Sequence, residues 1–138
     1  MFHPKKQTGA IFFKPKKNWG QNFLKNPEIA KKIVSFAEIK ESDTIIEIGP
    51  GTGILTEELV KSVPKGGATV FAIEKDFDLI EKLKKNTGEP KNLKIVHQDA
   101  LWFDLDEFTS RLRSKNKFKV VANIPYNITS PLIRKFIE

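Results

Sequence analysis

A short apolar run leads directly into a glycine-rich loop at residues 44–53, Thr-Ile-Ile-Glu-Ile-Gly-Pro-Gly-Thr-Gly. The β-branched character of residues 44–48 predicts a buried strand, and the glycines let a backbone approach a ligand closely at a helix start. Leu55, Leu59 and Val60 then follow at helical spacing. This stretch therefore predicts a strand, a tight loop and a helix, as in ligand-binding α/β sheets.

The same alternation continues along the rest of the chain. Strands are predicted at 68–73, 93–96 and 118–122, and helices at 27–38, 76–86, 104–113 and from Ser130 onward. Strands and helices of these lengths form right-handed βαβ units around a parallel sheet. Residues 1–20 show no clear period, and we interpret them as an arm or loop. Because the chain stops inside an apolar helix, we expect the first part of a longer protein.

The charges are distributed unevenly. The chain has 24 Lys and Arg against 17 Asp and Glu, a net charge of +7. Residues 1–40 hold nine lysines and two acids, so they carry the whole excess, and residues 41–138 are neutral. A basic front end beside a neutral body indicates a polyanionic partner such as nucleic acid, and a solvated lysine-rich tail is the alternative.

The composition also excludes several classes of site. The chain has no cysteine, so it has no disulfide, thiolate metal site or cysteine nucleophile. Its apolar runs are too short to span a bilayer, and the N-terminus lacks the apolar core of a signal peptide. We expect a cytoplasmic monomer without a metal ion or a membrane partner.

Polar residues stand at the carboxyl end of each predicted strand, which is where open α/β sheets bind ligands. Glu74 follows the second strand, 21 residues beyond Gly53, where an acid can accept hydrogen bonds from ribose hydroxyls. Asp99 follows the third strand and can accept a hydrogen bond from an adenine amino group or cap a helix. The G-x-G-x-G spacing of the first loop differs from the dinucleotide fingerprint and from the P-loop. These features favour S-adenosylmethionine over NAD.

The fourth strand ends in Asn123-Ile124-Pro125-Tyr126, which suits a planar base with an exocyclic amine. The Asn123 side-chain oxygen and the carbonyl of Ile124 or Pro125 can accept N–H bonds from such an amine. Tyr126 offers a face for stacking, worth roughly 1–3 kcal/mol per base, to a base flipped out of its helix. A simple turn that ends the strand is the alternative.

Five motifs occur in the order and spacing of the ribosomal RNA adenine N6,N6-dimethyltransferases, which the chain resembles from about Gly20 to its end. They are Gln21–Leu24, Glu47–Gly53, Glu74, Gln98–Leu101 and Asn123–Pro131. The resemblance implies a Rossmann-like class I S-adenosylmethionine-dependent methyltransferase fold, truncated after the fourth strand. It also implies a basic arm with a cofactor-closing motif at 1–26 and a partial catalytic domain at 27–138, with C-terminal strands and a helical domain absent. Because a fifth strand normally covers one side of the fourth in this family, the resemblance implies that the fourth strand is exposed at a sheet edge.

The resemblance further implies residue roles. Cofactor contacts are expected from Gln21, Asn22, Leu24, Gly49, Gly51, Gly53, Glu74, Asp99, Ala100 and Asn123. Catalytic roles are expected of Asn123, Pro125 and Tyr126, and RNA contacts of Lys5, Lys6, Lys14, Lys16, Lys17 and Phe23. The implied reaction is direct methyl transfer from the sulfonium to adenine N6, performed twice, without a metal ion or a covalent enzyme intermediate.

Within this family the chain is most similar to the bacterial enzymes for small-subunit (16S) rRNA, whose partner is the immature 30S subunit. The Erm-type antibiotic-resistance methylases, which act on the large-subunit rRNA, typically have Lys in place of Thr52 and His in place of Asn127. A DNA adenine N6-methyltransferase, a non-catalytic RNA-binding assembly factor and an NAD-dependent dehydrogenase would each share part of this pattern. We expect these 138 residues alone to bind cofactor but to methylate poorly.

Overall fold

The structure is a computed structural model that describes residues 9–13, 24–63, 69–112, 118–123 and 129–137. The strands in these ranges are β1 (Gly9–Phe13), β2 (Thr44–Ile48), β3 (Thr69–Glu74), β4 (Leu93–His97) and β5 (Phe118–Asn123). The helices are α1 (Pro27–Ala37), α2 (Ile54–Ser62), α3 (Phe77–Thr87), α4 (Leu105–Ser110) and α5 (Thr129–Ile137). The four strands and five helices predicted from the sequence are all present.

The strands form one sheet in the order β1-β5-β2-β3-β4, and every neighbouring pair is parallel. The chain moves outward from β2 to β3 and β4, and then returns to the other side of β2 to form β5. The order therefore reverses between β2 and β5, which is the place where open α/β sheets leave a crevice at their carboxyl ends. The predicted α/β class with a parallel sheet is confirmed.

The first strand corrects two predictions. Gly9–Phe13 pairs in parallel with β5, from Gly9 opposite Lys119 to Phe13 opposite Asn123. An arm or loop over residues 1–20 is therefore wrong for these five residues, and β1 covers the side of β5 that we expected to be exposed. The physical reason is that an edge of β5 offers unpaired backbone groups, which a short apolar run can satisfy.

Helices cover both faces of the sheet. The face packed by α1, α2 and α3 has a core that includes Ala30, Ile33, Ile45, Leu59, Leu83 and Val121. The opposite face is packed by α5 and the segment before α4, with a core that includes Ile46, Ile73, Phe103, Val120, Leu132 and Phe136. Because successive strand residues point to opposite faces, Glu47 lies on the α1–α3 side, between Ile46 and Ile48 of the other core.

Local sequence fixes the helix starts. The Asn26 side chain accepts a hydrogen bond from the Glu28 backbone N–H at 3.0 Å, and Pro27 occupies the first helical position of α1. The Asp76 side chain caps α3 in the same way.

None of the helices in the described ranges has the length and apolar character that a membrane span needs.

Candidate active site

The glycine loop turns the chain sharply from β2 into α2. Gly49, Gly51 and Gly53 all have positive φ angles, 65°, 58° and 98°, which residues with a side chain rarely adopt. The loop is held from outside, because the Asn86 side chain of α3 donates a hydrogen bond to the Thr52 carbonyl at 2.7 Å. The sequence thus produces a tightly fixed loop at the start of a helix, a geometry that favours close approach of a ligand.

Two of these glycines are needed for different reasons. A Cβ atom at Gly49 would have no heavy atom within 4 Å, so the backbone there borders open space. A Cβ atom at Gly53 would lie 2.7 Å from Leu83 Cδ1 on α3. Gly49 therefore leaves room at the site, whereas Gly53 lets α2 and α3 pack closely.

A cavity lies at the carboxyl edge of the sheet, at the reversal between β2 and β5. Its walls come from the end of β2, the glycine loop, the start of α2, the segment before α1 and the end of β5. The lining residues are Leu24, Glu47, Gly49, Pro50, Gly51, Ile54, Leu55 and Asn123. The backbone of the glycine loop and two polar side chains from neighbouring strands thus meet in the cavity.

Glu47 is the unusual member of this set, because its side chain is ionisable and only 1% exposed. The Thr56 hydroxyl donates a hydrogen bond to Glu47 Oε2 at 2.6 Å, and Oε1 has no hydrogen-bond partner among the described residues. Burial raises the pKa of the Glu47 carboxyl to about 8; the Thr56 bond opposes this rise and the nearby Glu74 carboxylate adds to it. A buried carboxyl with one free oxygen is ready to receive a cationic hydrogen-bond donor.

Asn123 brings a second free acceptor to the cavity. In the β2–β5 pairing Glu47 lies opposite Val121, and Asn123 is two residues further along, on the same face of the sheet. Asn123 Oδ1 is buried and has no hydrogen-bond partner among the described residues. Because buried polar atoms in folded proteins are nearly always bonded, two such acceptors in one cavity indicate a ligand that carries donor hydrogens.

Three further predicted residues lie at the ends of the next two strands. Glu74 is 6% exposed and its Oε1 accepts a hydrogen bond from the Asp76 N–H at 2.9 Å. Asp99 Oδ1 accepts from the Leu101 N–H at 3.0 Å within a turn, whereas the N-cap of α4 is Asp104, so the helix-cap alternative for Asp99 is wrong. Ala100 is buried in the core opposite to Glu47. These three residues continue the carboxyl edge but do not line the cavity.

The structure therefore brings together part of the predicted site. Leu24, Gly49, Gly51 and Asn123 meet around the cavity, and Gly53 packs against α3 instead. Several predicted residues lie outside the described residues: Gln21, Asn22, Phe23, Pro125, Tyr126, Lys5, Lys6, Lys14, Lys16 and Lys17.

Sequence reasoning missed Glu47 and Thr56 as members of the site. A single acid inside the otherwise uncharged run Thr44–Ile48 was the available signal, because a buried acid needs a partner.

Comparison with known proteins agrees with this geometry. The family model described as "Ribosomal RNA adenine dimethylase" matches residues 12–138. The chain belongs to this family. It is similar to the "Ribosomal RNA small subunit methyltransferase A" of Clostridium botulinum (strain Loch Maree / Type A3), with 41% identity over 91% of this chain and 43% of the relative. The protein of the same name from Clostridioides difficile (strain 630) is 44% identical over 91% of this chain and 42% of the relative. The chain thus spans less than half the length of these relatives.

Solved structures support the fold. The crystal structure of the 23S rRNA methyltransferase ErmE superposes with a TM-score of 0.66 and 29% identity, over 82% of this chain and 41% of that one. An RNA methyltransferase from Salinibacter ruber, solved in complex with S-adenosyl-L-homocysteine, gives a TM-score of 0.61 at 18% identity, over 83% of this chain and 71% of that one. The predicted class I methyltransferase fold is confirmed.

Proposed function

We propose that this chain carries the cofactor site and part of the catalytic site of an enzyme that dimethylates adenine N6 in small-subunit rRNA. The enzyme would act during ribosome biogenesis in the cytoplasm. Family membership and the names of the relatives support this function. The observation that carries it is the cavity between β2 and β5, where Glu47 Oε1 and Asn123 Oδ1 both lack a partner among the described residues.

The residues of the cavity fit S-adenosylmethionine. Its amino-acid end carries an ammonium group, which matches a buried carboxyl oxygen at Glu47. Gly49, which lines the same cavity, has open space around it. We assign the ribose hydroxyls to Glu74 and the adenine to Asp99 and Ala100, at the ends of the next strands. Leu24, together with Gln21 and Asn22, would close over the amino-acid end. When bound, this cofactor supplies an electrophilic methyl group on a sulfonium.

The remaining chemistry is mainly positioning. Asn123 Oδ1 would accept a hydrogen bond from an N–H of the target amine. This bond would hold the nitrogen lone pair toward the methyl group. Carbonyl dipoles at the end of β5 would stabilise the positive charge that develops on the nitrogen. From the order of the motif we assign Pro125 to shaping the turn and Tyr126 to stacking on the flipped adenine.

The basic front end would hold the RNA. We assign phosphate contacts to Lys5, Lys6, Lys14, Lys16 and Lys17, and support of the target base to Phe23. Apart from β1, which belongs to the sheet, residues 1–26 would then act as an RNA-binding and cofactor-closing arm on the partial catalytic domain at 27–138. Binding through lysine–phosphate contacts weakens steeply with salt, so RNA affinity should fall as the ionic strength rises.

The first experiment measures ligand binding to this chain by calorimetry. We expect S-adenosylmethionine and S-adenosylhomocysteine to bind and NAD not to bind. Binding of NAD alone would contradict the proposal and favour a dehydrogenase.

The second experiment measures methyl transfer to unmethylated small subunits, with large subunits in parallel, by a full-length relative that carries this chain in place of its own N-terminal part. Asn123→Ala should abolish transfer, whereas Asn92→Ala should not, because the Asn92 side chain bonds the Val60 carbonyl at the opposite, amino end of the sheet. The likeness to ErmE makes a large-subunit substrate the second candidate. Methylation of large subunits only would favour this second candidate. A protein that binds cofactor but transfers no methyl group to either subunit, even as a full-length relative carrying this chain, would favour a non-catalytic assembly factor.

A further inference from the structure

Thr56 lies behind the cavity, one turn into α2, and does not line it. Its side chain is 0% exposed, and its hydroxyl donates to Glu47 Oε2 at 2.6 Å. Glu47 lines the cavity, and its two carboxyl oxygens differ: Oε2 accepts from Thr56, whereas Oε1 is buried and has no hydrogen-bond partner among the described residues. The hydroxyl thus decides which carboxyl oxygen is available to a ligand.

The surroundings of Thr56 favour this bond over the usual alternative. A threonine hydroxyl inside a helix commonly bonds the carbonyl four residues earlier, which here belongs to Thr52. Thr52 precedes the Gly53 N-cap, so its carbonyl lies outside the helix, where the Asn86 side chain donates to it at 2.7 Å. Because threonine is also stiff at its first side-chain torsion, the hydroxyl is a well-oriented donor for Glu47.

We propose that Thr56 is a positioning residue, which holds the Glu47 carboxyl so that its free oxygen receives the ammonium group of the cofactor's amino-acid end. This inference rests on the proposed function, because it takes S-adenosylmethionine as the ligand. Thr56 itself touches neither cofactor nor RNA in this scheme. It acts only through the orientation and the protonation of Glu47.

The charges around Glu47 are consistent with a cationic ligand group. On the β3 side it faces Glu74, whose negative charge disfavours ionisation of Glu47. The described residues that line the cavity from the glycine loop, α2 and β5 are uncharged. Loss of the Thr56 hydrogen bond would raise the pKa of Glu47 further, because that bond stabilises the ionised form.

The experiment compares Thr56→Val, which removes the hydroxyl at similar size, with Thr56→Ser, which keeps it. In the ligand-free protein, carbon-13 NMR follows the titration of the Glu47 carboxyl, and we expect its midpoint to move to higher pH in Thr56→Val but not in Thr56→Ser. Calorimetry then compares S-adenosylmethionine with 5′-methylthioadenosine, which has the same adenosine but no amino-acid end. We expect Thr56→Val to weaken S-adenosylmethionine binding about tenfold, as for loss of one hydrogen bond to a charged group, and to leave 5′-methylthioadenosine unchanged.

Several results would overturn the inference. They are an equal Glu47 midpoint in wild type and Thr56→Val, an equal loss of affinity for both ligands, and a Thr56→Ser protein that behaves like Thr56→Val. Where Thr56→Val does not fold, Thr56→Ser against Thr56→Ala gives the same contrast with and without a hydroxyl. A wild type that binds no S-adenosylmethionine would instead overturn the proposed function, while the titration still decides whether Thr56 positions the carboxyl.

Discussion

Replacing Glu47 by Gln should remove the part of the pH dependence of the free energy of unfolding that comes from this buried carboxyl. The carboxyl is buried at 1% exposure, and burial raises its pKa from 4.5 to about 8. A group whose pKa is raised in the folded state makes its full contribution to the free energy of unfolding at any pH below its unfolded pKa. That contribution is lost as the pH rises toward the folded pKa. The relevant window is therefore pH 4.5 to about 8.

The expected magnitude follows from these two values. One pKa unit corresponds to about 1.4 kcal/mol, so the wild type should lose about 1.4 kcal/mol per pH unit across the window. The whole difference between pH 4.5 and about 8 is then on the order of 4–5 kcal/mol. Glutamine has the same size, offers an oxygen to the Thr56 hydroxyl and never ionises. The variant should match the wild type near pH 5 and exceed it in stability near pH 8.

The assay is urea unfolding followed by circular dichroism at several pH values from 5 to 9. Because other titrating groups are common to both proteins, the difference between their free energies of unfolding isolates Glu47. Parallel profiles for the two proteins over this range would refute the argument, since they would mean that Glu47 titrates as an exposed acid does.

The same carboxyl predicts a proton released on cofactor binding. At pH 7 a group with a pKa of about 8 is largely protonated, and pairing with an ammonium group favours its ionised form. Calorimetry of S-adenosylmethionine binding in buffers of different ionisation enthalpy should therefore show close to one proton released by the wild type. The Glu47→Gln protein should release none from this position, and equal release by both would contradict the assignment.

Two further variants test how the loop and the sheet are held. Gly53→Ala should lower the free energy of unfolding by about 2–4 kcal/mol, because it combines positive-φ strain with a contact 2.7 Å from Leu83. Gly88→Ala, with positive φ but no atom within 4 Å, should lose only about 1–2 kcal/mol, and equal losses in urea unfolding would argue against the contact. Asp43→Asn should lower the thermal midpoint, because Asp43 Oδ2 pairs with Lys119 Nζ at 2.8 Å in a mostly buried position. An unchanged midpoint would show that this pair adds no stability.

Much of the fold was predictable because its signals are local. The run Thr44–Ile48, the glycines after it and the capped start of α1 each specify an element within a few residues. Strand β1 was not predictable in this way, because Gly9–Phe13 becomes a strand through pairing with β5, more than 100 residues away. Five apolar residues between lysines and prolines suit a loop equally well until such a partner is known.

In the candidate site, too, the residues with local sequence signals were predictable and those that depend on long-range packing were not. Asn123 and the loop glycines were found from the sequence because they stand at strand ends, where parallel sheets bind ligands. Glu47 was not, because its importance depends on how deeply it is buried and on which oxygen Thr56 occupies. The sequence also could not separate Gly49 from Gly53, because only the packing of α3 shows that the latter serves the core.

The ligand-free fold keeps a feature that is unfavourable for stability. An uncompensated carboxyl at Glu47 and an unpartnered oxygen at Asn123 both lower stability, and apolar side chains of similar size would remove that penalty. A ligand that supplies hydrogens to both atoms would recover this free energy on binding, so the same residues weaken the empty fold and strengthen the bound one. Glu47→Gln should therefore raise the midpoint of thermal unfolding at pH 8 without ligand and reduce the further rise that saturating S-adenosylmethionine gives. A variant that gained stability and kept the full ligand-induced rise would show that Glu47 does not contact the ligand.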